Sequence, residues 1–172
     1  MNPDKTLGEL ILWPDMKAAD FGCGSGNWTI PLAKKLRKGT VYGLVYGIDV
    51  LDESLSALES RMLFEKVGNI RTLRANLEKD STLASDSLDV VLATNIFFQA
   101  EDKESLLGEI KKVLKQGGQA LIVDWMAKAP FGPKRGAVSA DDIKNMALAR
   151  GFKVKKEFKA GAYHWGMVLI KG

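Results

Sequence analysis

The sequence AADFGCGSGNWTIPLAKKL, residues 18–36, carries the strongest structural signal in the chain. It starts with a short apolar run, passes through glycines at alternate positions (Gly22, Gly24 and Gly26), and continues into a helix-like sequence. Glycines concentrated between a strand and a helix allow the backbone to approach a ligand closely. The stretch therefore predicts a ligand-binding turn that joins a strand to a helix.

The spacing of these glycines disfavours two common phosphate-binding motifs. A dinucleotide fingerprint needs G-x-G-x-x-G, but its third glycine would fall on Asn27 or Thr29. A P-loop ends in G-K-[ST], whereas Gly26 is followed by Asn27 and Trp28. The pattern is instead D-x-G-x-G-x-G from Asp20, and a carboxylate there suits a cationic or hydroxyl-bearing ligand better than a phosphate.

Composition indicates a soluble globular protein. The chain has 172 residues, of which 46% are hydrophobic and 27% charged, which suits one domain with a substantial core. Its formal net charge of +4 is spread along the chain, so it does not by itself indicate nucleic-acid binding. Cys23 is the one cysteine, which favours a small buried residue and a reducing cytoplasm over a disulfide framework. The sequence shows no signal-peptide pattern and no apolar run of the ~20 residues that a membrane span needs.

Strands and helices are predicted to alternate along most of the chain. The predicted strands are 17–21, 40–49, 70–76, 88–94, 119–125, 152–159 and 164–171, and the predicted helices are 3–12, 28–37, 53–67, 102–114 and 140–150. Gly117–Gly118 are expected to end the fourth helix. This alternation favours an α/β fold, a Rossmann-like doubly wound sheet with helices on both faces, closed by an antiparallel hairpin.

Two segments are less regular. The stretch TVYGLVYGID, residues 40–49, contains VYG twice, so we expect one copy to be the strand and the other to extend it or bulge before it. A register shift by an odd number of residues would point Asp49 away from the site. The segment 128–138, rich in proline, glycine and positive charge, is predicted to be a mobile loop near the site. In it, Lys134 and Arg135 either are solvated or hold an anionic acceptor.

Nearly the whole chain resembles the class I S-adenosylmethionine-dependent methyltransferases. DFGCGSG, residues 20–26, is similar to their first motif, and Asp49 to the acidic residue that binds both ribose hydroxyls. SLDVVLATNIFF, residues 87–98, and LLGEIKKVLKQGGQALIVDW, residues 106–125, resemble the segments that hold the fourth and fifth strands. The resemblance is strongest to the group that includes ubiquinone- and menaquinone-biosynthesis methyltransferases. It implies one domain over 1–172 and a seven-stranded sheet of order 3-2-1-4-5-7-6 with an antiparallel last strand.

The resemblance also implies S-adenosylmethionine as the cofactor, S-adenosylhomocysteine as the product, and no metal. The implied cofactor-binding residues are Asp20, Gly22, Cys23, Gly24, Gly26, Asp49, Val50, Asn76, Leu77 and Asn95, with Ile96 beside the transferred methyl. Asp20 would orient the ammonium group of the cofactor and Asp49 would bind its ribose. Asn76 stands where the family often has an aspartate facing the adenine amino group, so it would accept that hydrogen bond without a charge.

We expect a small or amphipathic acceptor. The residues expected to line its pocket are Trp28, Phe97, Phe98, Trp125, Arg135 and Tyr163. His164, the one histidine, is either a general base or a structural residue of the last hairpin. Residues 1–13 form a helix that could act as a lid. The sequence TNIFF stands where the family's amino-methylating enzymes carry N-P-P-[YF], which disfavours that chemistry.

The sequence is also compatible with other functions. One is methylation of RNA or protein, which the mildly basic charge would help. Another is a non-catalytic, cofactor-binding subunit of a complex, since no strong catalytic base stands out. The single cysteine disfavours arsenic methylation, and the glycine spacing disfavours an NAD-dependent oxidoreductase. The sequence specifies neither the acceptor atom nor the oligomeric state.

Overall fold

The computed structural model describes residues 1–127, 129–133 and 135–172, so the prediction for Lys134 lies outside the described residues. The strands are β1 (Lys17–Phe21), β2 (Arg37–Lys38), β3 (Val41–Tyr42), β4 (Leu44–Asp49), β5 (Ile70–Arg74), β6 (Leu88–Thr94), β7 (Leu114–Trp125), β8 (Phe152–Lys159) and β9 (His164–Lys171). The helices are α1 (Pro3–Leu7), α2 (Thr29–Lys35), α3 (Asp52–Glu65), α4 (Lys103–Val113) and α5 (Ala140–Ala149).

The main sheet has seven strands in the order β5-β4-β1-β6-β7-β9-β8. Neighbouring strands are parallel except for β9, which runs antiparallel to both β7 and β8. Counted without the short strands β2 and β3, which pair with each other, this order is 3-2-1-4-5-7-6. The predicted α/β fold, strand order and antiparallel strand are confirmed.

The central strand β6 is buried on both of its faces. Val91 and Ala93 face the core layer that α4 and α5 cover, whereas Val90 and Leu92 face the layer that α2 and α3 cover. A strand covered on both sides has no solvent face to make polar, which explains its almost continuous apolar sequence. The two layers leave only the strand ends accessible, and the site lies at the carboxyl ends.

The two VYG copies take different structures. The first, Val41–Gly43, leaves the main sheet, because β3 pairs with β2 in a separate antiparallel hairpin. The second, Val45–Gly47, lies in β4 beside β1. A Cβ atom added at Gly43 would come 2.8 Å from the carbonyl oxygen of Pro14, so this glycine allows the chain to enter the sheet there. One copy forms the strand, as predicted, but the prediction that the other extends it or bulges before it is wrong, because the first copy lies in a separate hairpin. The register of Asp49 is kept.

Two predicted helix ends are wrong. Helix α1 stops at Leu7 instead of residue 12, because the backbone of Ile11 leaves the helical path and exchanges two hydrogen bonds with the side chain of Gln119. Gly117–Gly118 do not end α4, which stops at Val113, but lie inside β7. They lie at an irregularity in the pairing of β6 with β7, where Leu88 pairs with Leu114 but Val90 pairs with Gln119. Gly117 has a φ of 76° at this irregularity.

Candidate active site

A cleft opens at the carboxyl ends of β1, β4, β5 and β6. Its lining residues are Gly22, Asp49, Val50, Ala75, Asn76, Leu77, Glu78, Ile96, Ala100 and Leu106, and we call it the strand-end cleft. The structure thus brings together Gly22, Asp49, Val50, Asn76 and Leu77, which the sequence predicts as binding residues. Residues from separate strands meet here because parallel strands end at the same edge of the sheet.

The glycine turn after β1 is fixed by the neighbouring strand. The N–H groups of Gly22 and Cys23 both donate to the carbonyl oxygen of Ile48, at 2.9 and 3.0 Å. Gly22 has a φ of 76°, and a Cβ atom added there would lie 2.8 Å from Ile96 Cδ1. Gly24 has a φ of 49° and nothing within 4 Å of such a Cβ, so its missing side chain leaves open space. The turn is therefore tightly packed at Gly22 and open at Gly24.

Asp49 is held by backbone donors on both carboxylate oxygens. The Gly24 N–H donates to Oδ2 at 2.9 Å, and the Leu51 N–H donates to Oδ1 at 3.1 Å. Each oxygen keeps a second lone pair, and the side chain is only partly buried. This orientation leaves the carboxylate able to accept hydrogen bonds from a pair of ligand hydroxyl groups.

Asp20 is buried one strand away, and only one of its oxygens is bonded. Thr29 Oγ1 donates to Oδ2 at 2.6 Å, whereas Oδ1 has no partner within the described part of the chain. Burial raises the pKa of Asp20 to about 7; the hydrogen bond from Thr29 opposes this shift and the charge of Asp49 adds to it. An unpaired buried carboxylate oxygen is costly, so Oδ1 is a position where a cationic or hydrogen-bond-donating ligand would be stabilised.

Five predicted binding residues lie outside the lining of the cleft: Asp20, Cys23, Gly24, Gly26 and Asn95. Gly26 has a φ of 85° and packs against Leu58 and Ile30. Cys23 is 6% exposed, and burial raises the pKa of its thiol, so its side chain is a packing residue and not a nucleophile. Asn95 adopts a φ of 55° after β6, where its N–H donates to the carbonyl oxygen of Val123 at 2.8 Å. Its Oδ1 is buried and, among the residues that the structure describes, has no hydrogen-bond partner.

The predicted acceptor residues do not form one pocket. Phe97 is fully buried and Trp28 is 6% exposed, so both pack in the core and offer an acceptor almost no surface. Their burial follows from contacts with helices on the two faces of the sheet, which no local pattern reveals. Phe98 and Trp125 are partly buried, and Arg135 is exposed.

Trp125, Phe131, Tyr163 and His164 form what we call the aromatic region. The rings of Trp125 and His164 are 4.0 Å apart, and those of Phe131 and Tyr163 are 5.8 Å apart, edge to face. His164 is 8% exposed, and its Nε2 is buried with no partner in the described residues. Burial, followed by the charge of the chain's amino terminus, lowers the pKa of His164, so its imidazole is neutral near pH 7.

The N-terminal segment packs against the protein. Asn2 caps α1 by accepting from the Lys5 N–H at 3.2 Å, and Leu7 is fully buried. A Cβ atom added at Gly161 would lie 3.5 Å from Met1 Cα, so the segment begins beside the turn between β8 and β9. Its role as a lid stays a prediction.

Sequence reasoning missed Asp124, at the carboxyl end of β7. Its carboxylate is fully buried and accepts hydrogen bonds from the Trp125 N–H at 2.7 Å and the Phe98 N–H at 3.2 Å. The available signal was its place at the carboxyl end of a buried strand, where ligands bind in an open α/β sheet. In the described residues, no group of three or more His, Cys, Asp and Glu side chains could hold a metal ion. No described helix is long and apolar enough to span a membrane.

Comparison with known proteins identifies the family. Residues 18–118 match the model of a methyltransferase domain. The chain is 30% identical over 129 residues to a demethylmenaquinone methyltransferase of Bacillus velezensis, covering 75% of this chain and 54% of that protein. It is 29% identical over 143 residues to the mitochondrial ubiquinone biosynthesis O-methyltransferase of Homo sapiens, covering 82% and 36%. The chain thus spans about half the length of the bacterial relative and 36% of the human one.

A solved structure shows the same fold over nearly the whole chain. The SAM-dependent methyltransferase from Aquifex aeolicus superimposes with a TM-score of 0.89 at 23% identity, covering 99% of this chain and 90% of that one. The family match begins and ends within the chain, so a domain boundary at 1–172 stays a prediction. The sequence match and the fold agree: the chain belongs to the methyltransferase domain family, with the fold of the class I S-adenosylmethionine-dependent enzymes.

Proposed function

We propose that the chain binds S-adenosylmethionine in the strand-end cleft and transfers its methyl group to a small or amphipathic acceptor. The observation that carries the proposal is the meeting of Asp49 with the glycine turn. There, the carboxylate is aligned by the Gly24 N–H and keeps free lone pairs beside open space. This arrangement suits a ribose diol, which needs two acceptors side by side.

The other residues of the site fit the remaining parts of the cofactor. The unpaired Oδ1 of Asp20 is a suitable acceptor for an ammonium group, directly or through water. Leu77 and Ile96 supply apolar walls for a flat ring. Asn76 Oδ1 accepts from the Glu78 N–H at 3.0 Å, which fixes the side chain and leaves one lone pair for the adenine amino group. Asn95 Oδ1 is a second unpaired acceptor near the end of β6.

The chain's contribution to the reaction is alignment. S-adenosylmethionine supplies a methyl group on a sulfonium sulfur, which an acceptor takes by in-line displacement. The protein holds the two partners in line and excludes water, and such positioning alone supplies a large part of a rate enhancement. Gly22 lets Ile96 lie against the glycine turn, where a larger side chain would collide with it. A strong general base is required only for an acceptor that must lose a proton.

The acceptor class rests on the named relatives and on the aromatic region. One relative reported above is named for demethylmenaquinone and the other for ubiquinone biosynthesis, which supports a small-molecule acceptor for this chain. Tyr163 and Phe131 expose aromatic surface at 38% and 78%, next to the partly buried Trp125. Arg135 adds a cation that would favour an acceptor with a negative group. The alternatives are an RNA or protein acceptor, or a cofactor-binding subunit without catalysis. The single cysteine suits a reducing cytoplasm as the compartment.

Calorimetric titration with S-adenosylhomocysteine and S-adenosylmethionine tests the cofactor first. We expect Asp49→Ala to weaken binding about 100-fold, because two hydrogen bonds to a charged acceptor are lost. Asp86→Asn is the matched control, since Asp86 pairs with Lys171 at the opposite end of β6 and should leave affinity unchanged. NAD should not bind. Equal affinity in wild type and Asp49→Ala would reject the ribose assignment.

A turnover screen then tests the acceptor. The release of S-adenosylhomocysteine would be followed with hydroxylated aromatic and quinone acceptors, with RNA, and with protein. Turnover with the small aromatic set supports the proposal. Turnover only with RNA or protein rejects the acceptor class, and cofactor binding without turnover for any class favours the non-catalytic alternative.

A further inference from the structure

We infer that Asp124 is a positioning residue: its carboxylate holds the helical turn 96–100, which forms one wall of the strand-end cleft, in register with the end of β7. The inference rests on the proposed function, because it assigns Asp124 a role in cofactor binding. Asp124 itself does not line the cleft. It acts through the turn that does.

The carboxylate caps the beginning of that turn. The Phe98 N–H donates to Oδ2 at 3.2 Å, and the Phe97 N–H also faces the carboxylate. The turn closes on itself, since the Gln99 and Ala100 N–H groups both donate to the carbonyl oxygen of Ile96 at 3.0 Å. A carboxylate at the N-terminal end of a turn satisfies donors that have no partner within the turn. Asp124 supplies this cap from a different strand.

The capped turn carries two residues of the cleft. Ile96 and Ala100 both line it, and Ile96 Cδ1 lies where a side chain at Gly22 would have to go. A small displacement of the turn would therefore change the distance between the glycine turn and the opposite wall. The packing at Gly22 makes this distance sensitive to a shift of the turn, because Ile96 cannot move closer to the glycine turn without a steric clash.

The same aspartate is joined to the loop on the acceptor side. Its Oδ1 accepts from the Trp125 N–H at 2.7 Å. The carbonyl oxygen of Trp125 accepts from Trp165 Nε1 at 3.1 Å, and the same indole donates to the carbonyl oxygen of Val138, also at 3.1 Å. The carbonyl of Phe98, within the capped turn, lies against Gly136. Asp124 thus lies where the cleft wall meets the segment between β7 and α5, near Trp125 before that segment and near Gly136 and Val138 at its end.

Its burial is costly, which argues against a role in packing alone. Asp124 is fully buried, and burial raises its pKa to about 6, against the opposing effect of the backbone donors and the charge of Lys103. An apolar residue of similar size would fill the space at a lower cost. The carboxylate is explained by its two acceptor oxygens, one of which accepts the Phe98 N–H of the turn while the other accepts the Trp125 N–H of its own strand.

The test compares Asp124→Asn with Asp89→Asn. Asp89 is the matched control because it also accepts a backbone N–H, from Lys17 at 2.8 Å, but at the opposite edge of the sheet. Amide hydrogen exchange is measured residue by residue in the ligand-free proteins, together with thermal unfolding and the Kd for S-adenosylhomocysteine. Asparagine keeps the shape of aspartate and one acceptor oxygen. A change in the amide exchange of the Asp124→Asn protein therefore reports the lost hydrogen bond.

We expect Asp124→Asn to speed exchange at Phe97 and Phe98 at least tenfold, the size of one lost hydrogen bond to a charged acceptor, and to weaken binding roughly tenfold through displacement of the cleft wall. Exchange at Val91 and Leu92 in β6 should not change, and Asp89→Asn should affect neither the turn nor the Kd. Unchanged exchange and affinity in Asp124→Asn would overturn the inference. Faster exchange throughout β6 would also overturn it, because it would indicate general destabilisation. If wild type binds no S-adenosylhomocysteine, the proposed function fails, while the exchange data still decide whether Asp124 holds the turn.

Discussion

The strand-end cleft and the aromatic region are built in different ways. In the cleft, Gly22 and Asp49 are placed by the ends of adjacent parallel strands, whose register is fixed by the sheet. In the aromatic region, Phe131 and Tyr163 come from the β7–α5 segment and the β8–β9 turn, and side-chain packing brings them together. Strand order therefore locates a site at the sheet edge, whereas tertiary packing decides which loop side chains face it.

We expect the greatest change in stability from substitution of Phe97, in contrast to its neighbour Phe98, although the sequence predicts the same role for both. Phe97→Ala should cost about 3–5 kcal/mol of unfolding free energy, because it empties a fully buried position. Phe98→Ala removes a partly exposed ring and should cost about 1 kcal/mol or less. Urea unfolding of both variants measures the difference. Should Phe97→Ala keep wild-type stability and lose acceptor turnover, Phe97 would belong to the acceptor pocket after all.

This contrast shows how far the sequence could predict the molecule. The glycine turn, Asp49 and Asn76 could be placed from sequence: the turn by its glycine pattern, and Asp49 and Asn76 by their alignment with the motifs of the family that the chain resembles. Phe97 and Trp28 could not, because their burial depends on helices distant in sequence. Asp124 was missed for the opposite reason: its position followed the strand-end rule, but its role depends on the backbone of Phe98, which β6 brings from 26 residues away.

The second prediction tests the cleft through pH. Burial holds the pKa of Asp20 near 7, so the carboxylate that would face the cofactor's ammonium is only partly ionised at neutral pH. Affinity for S-adenosylhomocysteine should rise about tenfold between pH 6 and pH 8, with a proton released on binding. Titrations in buffers of different ionisation enthalpy measure both quantities. In Asp20→Asn the rise should disappear; a rise that persists there must come from another group and would separate Asp20 from the ligand.

The stability of the free protein should change with pH in the opposite direction. Because the folded-state pKa of Asp20 lies above its unfolded value of 3.8, the native state binds more protons than the unfolded state between these two values. The Asp20 contribution to stability is therefore present at low pH and is lost as the pH rises towards 7. Wild type compared with Asp20→Asn isolates this contribution. If affinity rises with pH while the Asp20 contribution to unfolding free energy falls, the burial of this carboxylate serves ligand binding and not stability.

The smallest expected effect concerns His164, the candidate base of the aromatic region. The imidazole is neutral near pH 7 and could accept a proton, but its Nε2 is buried and its ring packs against Trp125 at an angle of 39°. We expect His164→Gln to change kcat less than about threefold and to cost about 1 kcal/mol of stability through the lost ring contact. A loss of about 100-fold or more in kcat with unchanged unfolding would instead establish a general base. Tyr163→Phe is the control, because it keeps the contact with Phe131 and removes only a hydroxyl group. If both variants turn over like wild type, the aromatic region acts through shape, and the methyl transfer depends on the alignment that the strand-end cleft provides.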